Sequence, residues 1–525
     1  MKPPATSPRT PLSLWRGRAS ALLTLVTALA VTACAGSEGE IPEGAADAGA
    51  GGGSGTGFTL ETALQGTIGS GSNLNDVGPA QIAQSQAAYA YLTSVATATE
   101  MAPLIAAGVG GMILNYSVYV EATQGIELFS LYVPDTPASQ PRPLLAAFHG
   151  AATSHGDIYF RAQEFFIEAD QRGWFLVAPL QANLTGPQDI SFASVQSQLH
   201  VEVLIELILD TYNIDRDRIY GAGFSMGGGN ALSYAARHRD RRTGAMAAVV
   251  NHTGSVALAD VYRNAPPVTA GVMEVIFGGP PSGPVFEWQR SSLIEVDALG
   301  ALLPQGMHMA RNLEHVPVQT WFNTQDSFGY LRSQAQELGA FIQALPFGTH
   351  QMVTVPGGLP NCVDQHCWGT LDINAACSWL DQQTLERNPS SGTILADRDA
   401  RWGRFDVEQR FPGTFTSFDF TVTASANELE LRNALNLRSV AASRAGLGLQ
   451  VAQPMTLRTR SFPSQGAAVK LSGFLSAPSS VLRNGLPFGP TCGGAANSIG
   501  WCHDAQTGVL TIRETSNLSV IWQVL

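Results

Sequence analysis

Short apolar runs alternate with segments of helical spacing through the middle of the chain. The predicted strands, in order, are Tyr116–Glu121, Ile126–Val133, Leu144–Phe148, Phe175–Pro179, Arg218–Phe224, Ala245–Asn251, Val318–Asn323 and Gln351–Val355. The first two predict an opening hairpin, and helical spacing follows over Val195–Tyr212. Later runs are separated by enough chain for a crossover, so the pattern predicts a mostly parallel sheet with helices on both faces.

The character of the chain changes near residue 390. Apolar and polar residues alternate with a period of two around Phe418–Val422, Met455–Arg458, Val469–Leu471 and Leu510–Arg513. Gly, Pro and Asn punctuate these runs, which predicts a C-terminal all-β domain over residues 391–525. The segment Leu429–Leu447 fits either a strand or a helix.

The N-terminus has the pattern of an export signal. Basic residues precede an apolar core, Ala21–Val31, that is too short to span a bilayer as a mature helix. The end of the signal, Val31-Thr32-Ala33-Cys34, resembles the lipobox of bacterial lipoproteins, in which the cysteine carries the lipid. The resemblance implies a signal over 1–34 and an anchor at Cys34, with a flexible tether over 35–57. The alternative is an ordinary cleaved signal, which makes the protein secreted rather than anchored at the cell envelope.

Composition narrows the function classes. The chain has 525 residues, 45% of them hydrophobic and 14% charged, which indicates folded domains rather than disorder. The formal net charge of −12 argues against nucleic-acid binding, and no basic stripe or cluster is predicted to overturn that. No cofactor is predicted.

Cysteines are predicted to form disulfides rather than a metal site. No C-x-x-C pair occurs, so zinc is not expected, and export makes disulfides permissible. Cys492 and Cys502 are the predicted pair. Among Cys362, Cys367 and Cys377 two can pair, and the sequence leaves open which.

The most informative motif is the pentapeptide Gly223-Phe224-Ser225-Met226-Gly227. It follows a predicted buried strand and precedes a run of small residues with helical character. A strand, a tight turn and a helix in that order form the context of a nucleophile elbow, which raises a serine hydroxyl at the carboxyl end of the strand. The competing interpretation is a glycine-rich turn with an incidental serine.

The wider segment Thr211–Gly229, TYNIDRDRIYGAGFSMGGG, resembles secreted esterases of the α/β-hydrolase superfamily. These include feruloyl and acetylxylan esterases and polyhydroxybutyrate-depolymerase-type esterases, and His366-Cys367-Trp368-Gly369 partly matches their H-x-W-x-G piece. The resemblance implies an α/β-hydrolase fold with eight strands and the elbow after the fifth. We assign it to residues 58–390, with an insertion over 254–315 that forms either a lid or a simple cover for the sheet.

From this resemblance Ser225, Asp326 and His366 take the roles of nucleophile, acid and base. His366 follows the last predicted strand, and Asp326 follows the strand before it. Asp364 and Asp297 are the alternative acids. A cysteine-flanked structural histidine and a turn-capping aspartate are the competing interpretations of His366 and Asp326.

Two backbone N–H groups are required to hold the oxyanion of such a reaction. The resemblance assigns them to Met226, directly after the nucleophile, and to Ala151, in the loop His149-Gly150-Ala151-Ala152. His149 is predicted to be a structural hydrogen-bonding residue.

The leading hypothesis is therefore an exported serine esterase acting on a small or polymeric carboxylic ester. A serine peptidase or an acyltransferase on the same fold is the nearest alternative. A non-catalytic surface-binding lipoprotein is the alternative of a different class.

Overall fold

The computed structural model describes residues 59–61, 67–69, 107–120, 122–123, 125–135, 140–181, 189–493 and 498–525. The predicted signal peptide with Cys34, the tether over 35–57 and the helical spacing of Ala80–Leu104 lie outside the described residues.

The first and largest sheet belongs to the α/β portion of the chain. Its strands are β1 Thr59–Glu61, β2 Thr67–Gly69, β3 Met112–Val120, β4 Gly125–Val133, β5 Arg142–Phe148, β6 Phe175–Pro179, β7 Ile214–Phe224, β8 Ala248–His252, β9 Val318–Asn323 and β10 His350–Val355. The helices that accompany it are α1 Asp157–Arg161, α2 Glu164–Arg172, α3 Val195–Thr211, α4 Met226–Arg237, α5 Leu258–Asn264, α6 Pro267–Phe277, α7 Val285–Ser291, α8 Gly329–Gln343 and α9 Ile373–Leu380. Short 3₁₀ turns lie at Met309–Leu313 and Trp368–Thr370.

Strand order identifies the fold. The sheet runs β1-β3-β4-β6-β5-β7-β8-β9-β10, with β2 also paired to β3. Strands β3 and β4 form the predicted antiparallel hairpin, and from β6 to β10 neighbouring strands are parallel. The eight strands from β3 to β10 have the α/β-hydrolase order, with the elbow after the fifth, which confirms the predicted fold class.

The number of strands and several strand boundaries differ from the prediction; β3 starts at Met112 rather than Tyr116, and β8 at Ala248 rather than Ala245. Within the described ranges the sheet has ten strands rather than eight, because β1 and β2 add to the β3 edge in parallel. Strand β7 begins at Ile214, four residues before the predicted start. These residues pair beside Arg142 at the edge of the buried core, where burial is incomplete and the apolar pattern is weak.

The core explains why the apolar runs became strands. The run over β5 is buried from Pro143 to Phe148, and β6 and β8 are buried throughout. Apolar clusters lie on both faces of the sheet, one with α3 and α4 and the other with α2 and α9. A sheet covered on both faces requires strands that are apolar on both sides, which produces continuous rather than alternating runs.

The C-terminal portion consists of two further sheets. Its strands are β11 Ser391–Ala396, β12 Ala400–Trp402, β13 Phe405–Gln409, β14 Thr416–Thr423, β15 Glu428–Leu435, β16 Leu437–Ser443, β17 Met455–Arg460, β18 Ala467–Ser472, β19 Val481–Arg483, β20 Leu486–Pro487, β21 Gly500–Asp504, β22 Val509–Glu514 and β23 Val520–Val524. They enclose a shared apolar core that includes Trp402 and Trp522. The segment that the sequence left open, Leu429–Leu447, is extended and forms β15 and β16.

A buried ion pair joins the two portions. Arg237, the last residue of α4, donates from Nη2 to Asp397 Oδ2 at 2.6 Å, and both side chains are fully buried. Asp397 directly follows β11 of the C-terminal portion. The far end of the helix that starts at the predicted nucleophile is therefore tied to the β domain.

The cysteine pattern is resolved as two disulfides. Cys492 pairs with Cys502, which confirms that prediction, and Cys362 pairs with Cys367. Cys377 is free and buried in α9. No helix among the described residues has the length and apolar character needed to cross a membrane.

Candidate active site

The turn between β7 and α4 holds Ser225 in a strained backbone conformation, with φ 54° and ψ −120°. This region of backbone space is unfavourable for a residue with a side chain and persists only where the surroundings impose it. The surroundings do so here. A Cβ atom on Gly223 would collide with the backbone of Gly227, and one on Gly227 would collide with the carbonyl groups of Phe148 and His149.

Backbone hydrogen bonds fix the same turn. The N–H of Ser225 donates to the carbonyl of His252 at 2.9 Å, and its carbonyl accepts from Gly228 at 3.1 Å and Ser255 at 3.2 Å. Ser225 is thereby anchored to β8 and to the first turn of α4, and its side chain remains partly exposed. The geometry is that of a nucleophile elbow.

Asp326 and His366 form a direct pair at the carboxyl edge of the sheet. Asp326 follows β9, His366 follows β10, and the imidazole Nδ1 lies 2.7 Å from Asp326 Oδ2. The other carboxylate oxygen, Oδ1, accepts the N–H of Phe328 at 2.8 Å. With both oxygens engaged and the side chain almost fully buried, the carboxylate has a fixed orientation.

The alternative acids take other positions. Asp364 accepts the backbone N–H of His366 at 3.1 Å. Asp297 lies in the insertion and accepts backbone N–H groups of Leu299 and Ala301 at 2.8 and 3.0 Å. Of the three candidates, Asp326 makes the hydrogen bond to the imidazole.

The His366 ring lies near the turn that carries Ser225. Its centroid is 4.6 Å from the ring of Phe224, the residue before Ser225, and 4.7 Å from the ring of Phe328. Among the described residues the Ser225 hydroxyl makes no hydrogen bond to the imidazole. Hydrogen bonds of this kind are often long in unliganded hydrolases and shorten with substrate bound.

A disulfide and the hydrogen bonds of one glutamine hold the loop that carries His366. The Cys362–Cys367 disulfide encloses it. Gln365, with φ 56°, accepts from Asn323 at 3.0 Å and from the N–H groups of Gly358 and Leu359 at 2.9 Å. Gln365 therefore ties the loop to the end of β9. The sequence prediction missed this residue, because nothing in a single glutamine beside the histidine indicates hydrogen bonds to Asn323, Gly358 and Leu359.

The two predicted oxyanion donors lie on adjoining segments. Met226 opens α4, where first-turn N–H groups have no carbonyl partner inside the helix. Ala151 follows Gly150, whose added Cβ would lie 3.2 Å from the Phe224 ring, so this loop runs close to the elbow. The side chains of Met226 and Ala151 belong to one apolar cluster.

His149 links the loop that carries Ala151 to the end of β6. It is fully buried, with Nδ1 2.7 Å from the carbonyl oxygen of Gly150 and Nε2 2.8 Å from that of Leu180. One ring nitrogen at a time donates in the neutral ring. The contacts confirm the predicted structural role.

Two further histidines near the site are buried and resist protonation. Burial lowers the pKa of His155 to about 3, with the nearby His149 adding to the effect. Burial also lowers the pKa of His252, and His366 adds to the effect. The centroid of the His252 ring lies 4.8 Å from that of Phe224 and 5.9 Å from that of Trp368, so His252 packs behind the turn that carries Ser225.

Helices of the insertion cover one side of the site. Residues of α5, α6 and α7 pack against Met226 in the same cluster as Ala151; they include Val261, Val272, Met273, Phe277 and Trp288. Phe277 and Trp288 lie with ring centroids 4.5 Å apart. The insertion therefore contributes an apolar wall next to the predicted oxyanion site. Across the described ranges, no group of three or more His, Cys, Asp or Glu residues is arranged to hold a metal ion.

The chain shares little sequence identity with the known proteins that it resembles in structure. No family model and no curated protein sequence matches the chain. Among solved structures it is similar to a ferulic acid esterase, at 14% identity and a TM-score of 0.37 over 51% of this chain and 98% of that one. It is also similar to an S-formylglutathione hydrolase from Agrobacterium tumefaciens, at 16% identity and a TM-score of 0.38 over 52% and 96%. A thermophilic carboxylesterase cloned from a metagenomic library matches at 16% and 0.38 over 51% and 87%. The function therefore has to be argued from the site.

Proposed function

We propose that the protein is a serine hydrolase that cleaves carboxylic esters, with Ser225 as nucleophile, His366 as general base and Asp326 as its orienting acid. The observation that carries the proposal is the 2.7 Å pair of His366 and Asp326 beside a strained Ser225. A strained serine flanked by glycines needs a reason to persist. A fixed imidazole at the same edge of the sheet supplies that reason.

The hydrogen bond between Asp326 and His366 sets the tautomer of the imidazole. Because Nδ1–H donates to Asp326, Nε2 is the nitrogen that can accept a proton. The Ser225 oxygen attacks the ester carbonyl carbon while its proton passes to Nε2. The tetrahedral intermediate collapses, the carbon–oxygen bond to the alcohol breaks, and the alcohol leaves with that proton.

Water completes the cycle. It gives a proton to Nε2 as its oxygen attacks the acyl-enzyme, and the carboxylic acid leaves as Ser225 recovers its proton. In both halves the N–H groups of Met226 and Ala151 hold the negative oxygen, and the α4 dipole favours charge at the Met226 end.

The apolar cluster beside the predicted oxyanion site bears on the substrate. Phe277, Trp288 and Met273 are buried in its interior, and the members that keep some exposure, which include Ala151, Phe328 and Tyr330, carry no charge. We therefore propose that the ester carries an apolar acyl or alcohol group there, since burying such a group removes apolar surface from water.

The test is a comparison of the wild type with Ser225→Ala on short p-nitrophenyl esters and a fluorophosphonate probe. We expect covalent labelling and turnover for the wild type and neither for Ser225→Ala, with Ser327→Ala, at an exposed serine near the site, behaving as the wild type. A wild type that neither turns over esters nor takes the probe would remove the proposal.

We also propose that Cys34 carries a lipid, on the strength of the sequence Val31-Thr32-Ala33-Cys34. The test is fractionation of cells expressing the full chain or Cys34→Ser. A shift of the variant from the membrane fraction to the soluble fraction supports the anchor, and identical fractionation contradicts it.

A further inference from the structure

A cleft between the α/β portion and the β domain is lined by an excess of basic groups. Its volume is about 230 Å³, and six arginines and three carboxylates line it: Arg239, Arg241, Arg242, Arg387, Arg401, Arg404, Asp240, Glu314 and Glu386. The whole chain has a net charge of −12, so this excess opposes the overall charge. We call it the arginine cleft.

Most of these arginines already have acidic partners. Arg241 and Arg387 both pair with Asp217, and Arg242 pairs with Asp240 at 2.7 Å. Arg401 lies 3.1 Å from Asp406. These four guanidinium groups are accounted for by the protein itself.

Arg239 and Arg404 are different. Arg239 makes no hydrogen bond or ion pair with any described residue, although its Nη1 atom is completely buried. Arg404 donates to the carbonyl groups of Pro389 and Gly446, and its buried Nε atom has no partner. No carboxylate in the described part of the chain lies within ion-pair distance of either. Burial lowers the pKa of Arg239 to about 10.

The two groups come from different portions of the chain. Arg239 follows α4 of the α/β portion, and Arg404 lies in the turn between β12 and β13 of the β domain. Each residue is partly exposed but keeps one buried donor without an acceptor among the described residues, Nη1 of Arg239 and Nε of Arg404. A buried donor without an acceptor destabilises the folded state, and neither guanidinium has a described carboxylate within ion-pair distance to neutralise its charge. An anion bound by both would supply the missing counter-charge.

We propose that the arginine cleft binds a small oxyanion, a phosphate, sulfate or carboxylate group, held by Arg239 and Arg404 across the junction of the two portions. The planar guanidinium fork matches the oxygen spacing of these groups and binds them in bidentate fashion. A cleft of this volume accommodates a few solvent-sized groups, which favours a free ion or the terminal group of a larger molecule. The inference is independent of the proposed esterase activity.

The first test is the melting temperature of the whole protein in phosphate-free buffer. Inorganic phosphate, sulfate and glucuronate are each added, with sodium chloride at matched ionic strength as the reference. We expect at least one oxyanion to raise the melting temperature by about 2–4 °C over chloride, in a saturable manner. A gain with the inorganic ions identifies a free ion as sufficient, and a gain with glucuronate alone identifies a carboxylate on a sugar.

Variants locate the effect. Arg239→Gln and Arg404→Gln should each weaken binding at least about tenfold, because a charge-assisted hydrogen bond is lost. In chloride, Arg239→Gln should melt at or above the temperature of the wild type, since a buried donor without an acceptor is removed. Arg404→Gln should melt lower than Arg239→Gln, because it also loses the hydrogen bonds to Pro389 and Gly446. Arg460→Gln, at an exposed arginine of β17, is the matched control and should keep the full oxyanion effect. No gain over chloride in the wild type, or an equal gain in both cleft variants, would overturn the proposal.

Discussion

Asp326 and His366 lie forty residues apart in sequence and meet at 2.7 Å between Oδ2 and Nδ1. The two side chains reach each other because β9 and β10 are parallel neighbours, so that the loops after both strands emerge at one edge of the sheet. The elbow after β7 opens at that same edge. The three strand ends that carry a carboxylate, an imidazole and a hydroxyl therefore lie on one edge of the sheet.

Replacing Asp326 with Asn tests the orientation of the imidazole. The amide keeps the shape of the side chain but can place an N–H donor against Nδ1, which moves the ring proton to Nε2 and leaves no base. We expect kcat for p-nitrophenyl esters to fall by a factor on the order of 10⁴. Asp364→Asn is the matched control, because Asp364 bonds the backbone rather than the ring of His366. Equal losses in the two variants would contradict the assignment.

Gly227→Ala tests the packing of the elbow. The added methyl group would collide with the carbonyl groups of Phe148 and His149. We expect the free energy of unfolding to fall by about 3 kcal/mol, or folding to fail. Gly271→Ala, in the exposed face of α6 where nothing lies within 4 Å, should instead stabilise the protein by about 0.5–1 kcal/mol. Urea unfolding measures the free energy of unfolding of both variants. Equal values would show that the elbow is not tightly packed at Gly227.

Removing the Cys362–Cys367 disulfide by serine substitution at both positions tests the loop that carries His366. The bond closes a loop with a sequence separation of 5, and its loss should destabilise that loop by about 2 kcal/mol and lower kcat. Removing Cys492–Cys502, in the β domain, is the control and should lower stability with kcat unchanged. Unchanged kcat in both variants would show that Gln365 alone holds the loop.

Acid should destabilise the protein through His155. Its folded pKa of about 3 lies below the unfolded value near 6.5, so the unfolded chain binds a proton that the folded chain refuses. Stability is then present above pH 6.5 and is lost as the pH falls toward 3, by about 2 kcal/mol at pH 5 from this one group. His155→Asn should show a smaller drop in stability between pH 7.5 and pH 5 than the wild type does. An equal drop in the two proteins would assign the acid sensitivity to other groups.

The elements that were predictable from sequence depend on local patterns. Continuous apolar runs identified β5, β6 and β9 because both faces of the sheet are covered, and two glycines around Ser225 identified the elbow. The pairing of Cys362 with Cys367 was left open because burial of Cys377 in α9 is a tertiary fact. The edge strands β1 and β2 are three residues each, too short to leave a periodic signal.

The arginine cleft could not be predicted from the sequence for a different reason. The run Arg237-His238-Arg239-Asp240-Arg241-Arg242 is a basic cluster, contrary to the prediction that the chain has none. Even with the run noticed, the sequence does not tell which arginines are neutralised, because their partners Asp217 and Asp397 lie far away in the chain. Arg239 stands out only when all the other pairings are known.

The buried contact of Arg237 with Asp397 has a consequence for how the protein can be cut down. A chain that stops before residue 391 keeps the guanidinium at the end of α4 and discards its counter-charge, at a cost of about 3–5 kcal/mol. The same helix, α4, begins directly after Ser225. The unpaired charge at its C-terminal end would therefore destabilise the helix that positions the serine. Shortened forms that carry the α/β portion by itself should be recovered as insoluble material. The β domain would then be required for the stability of the α/β portion.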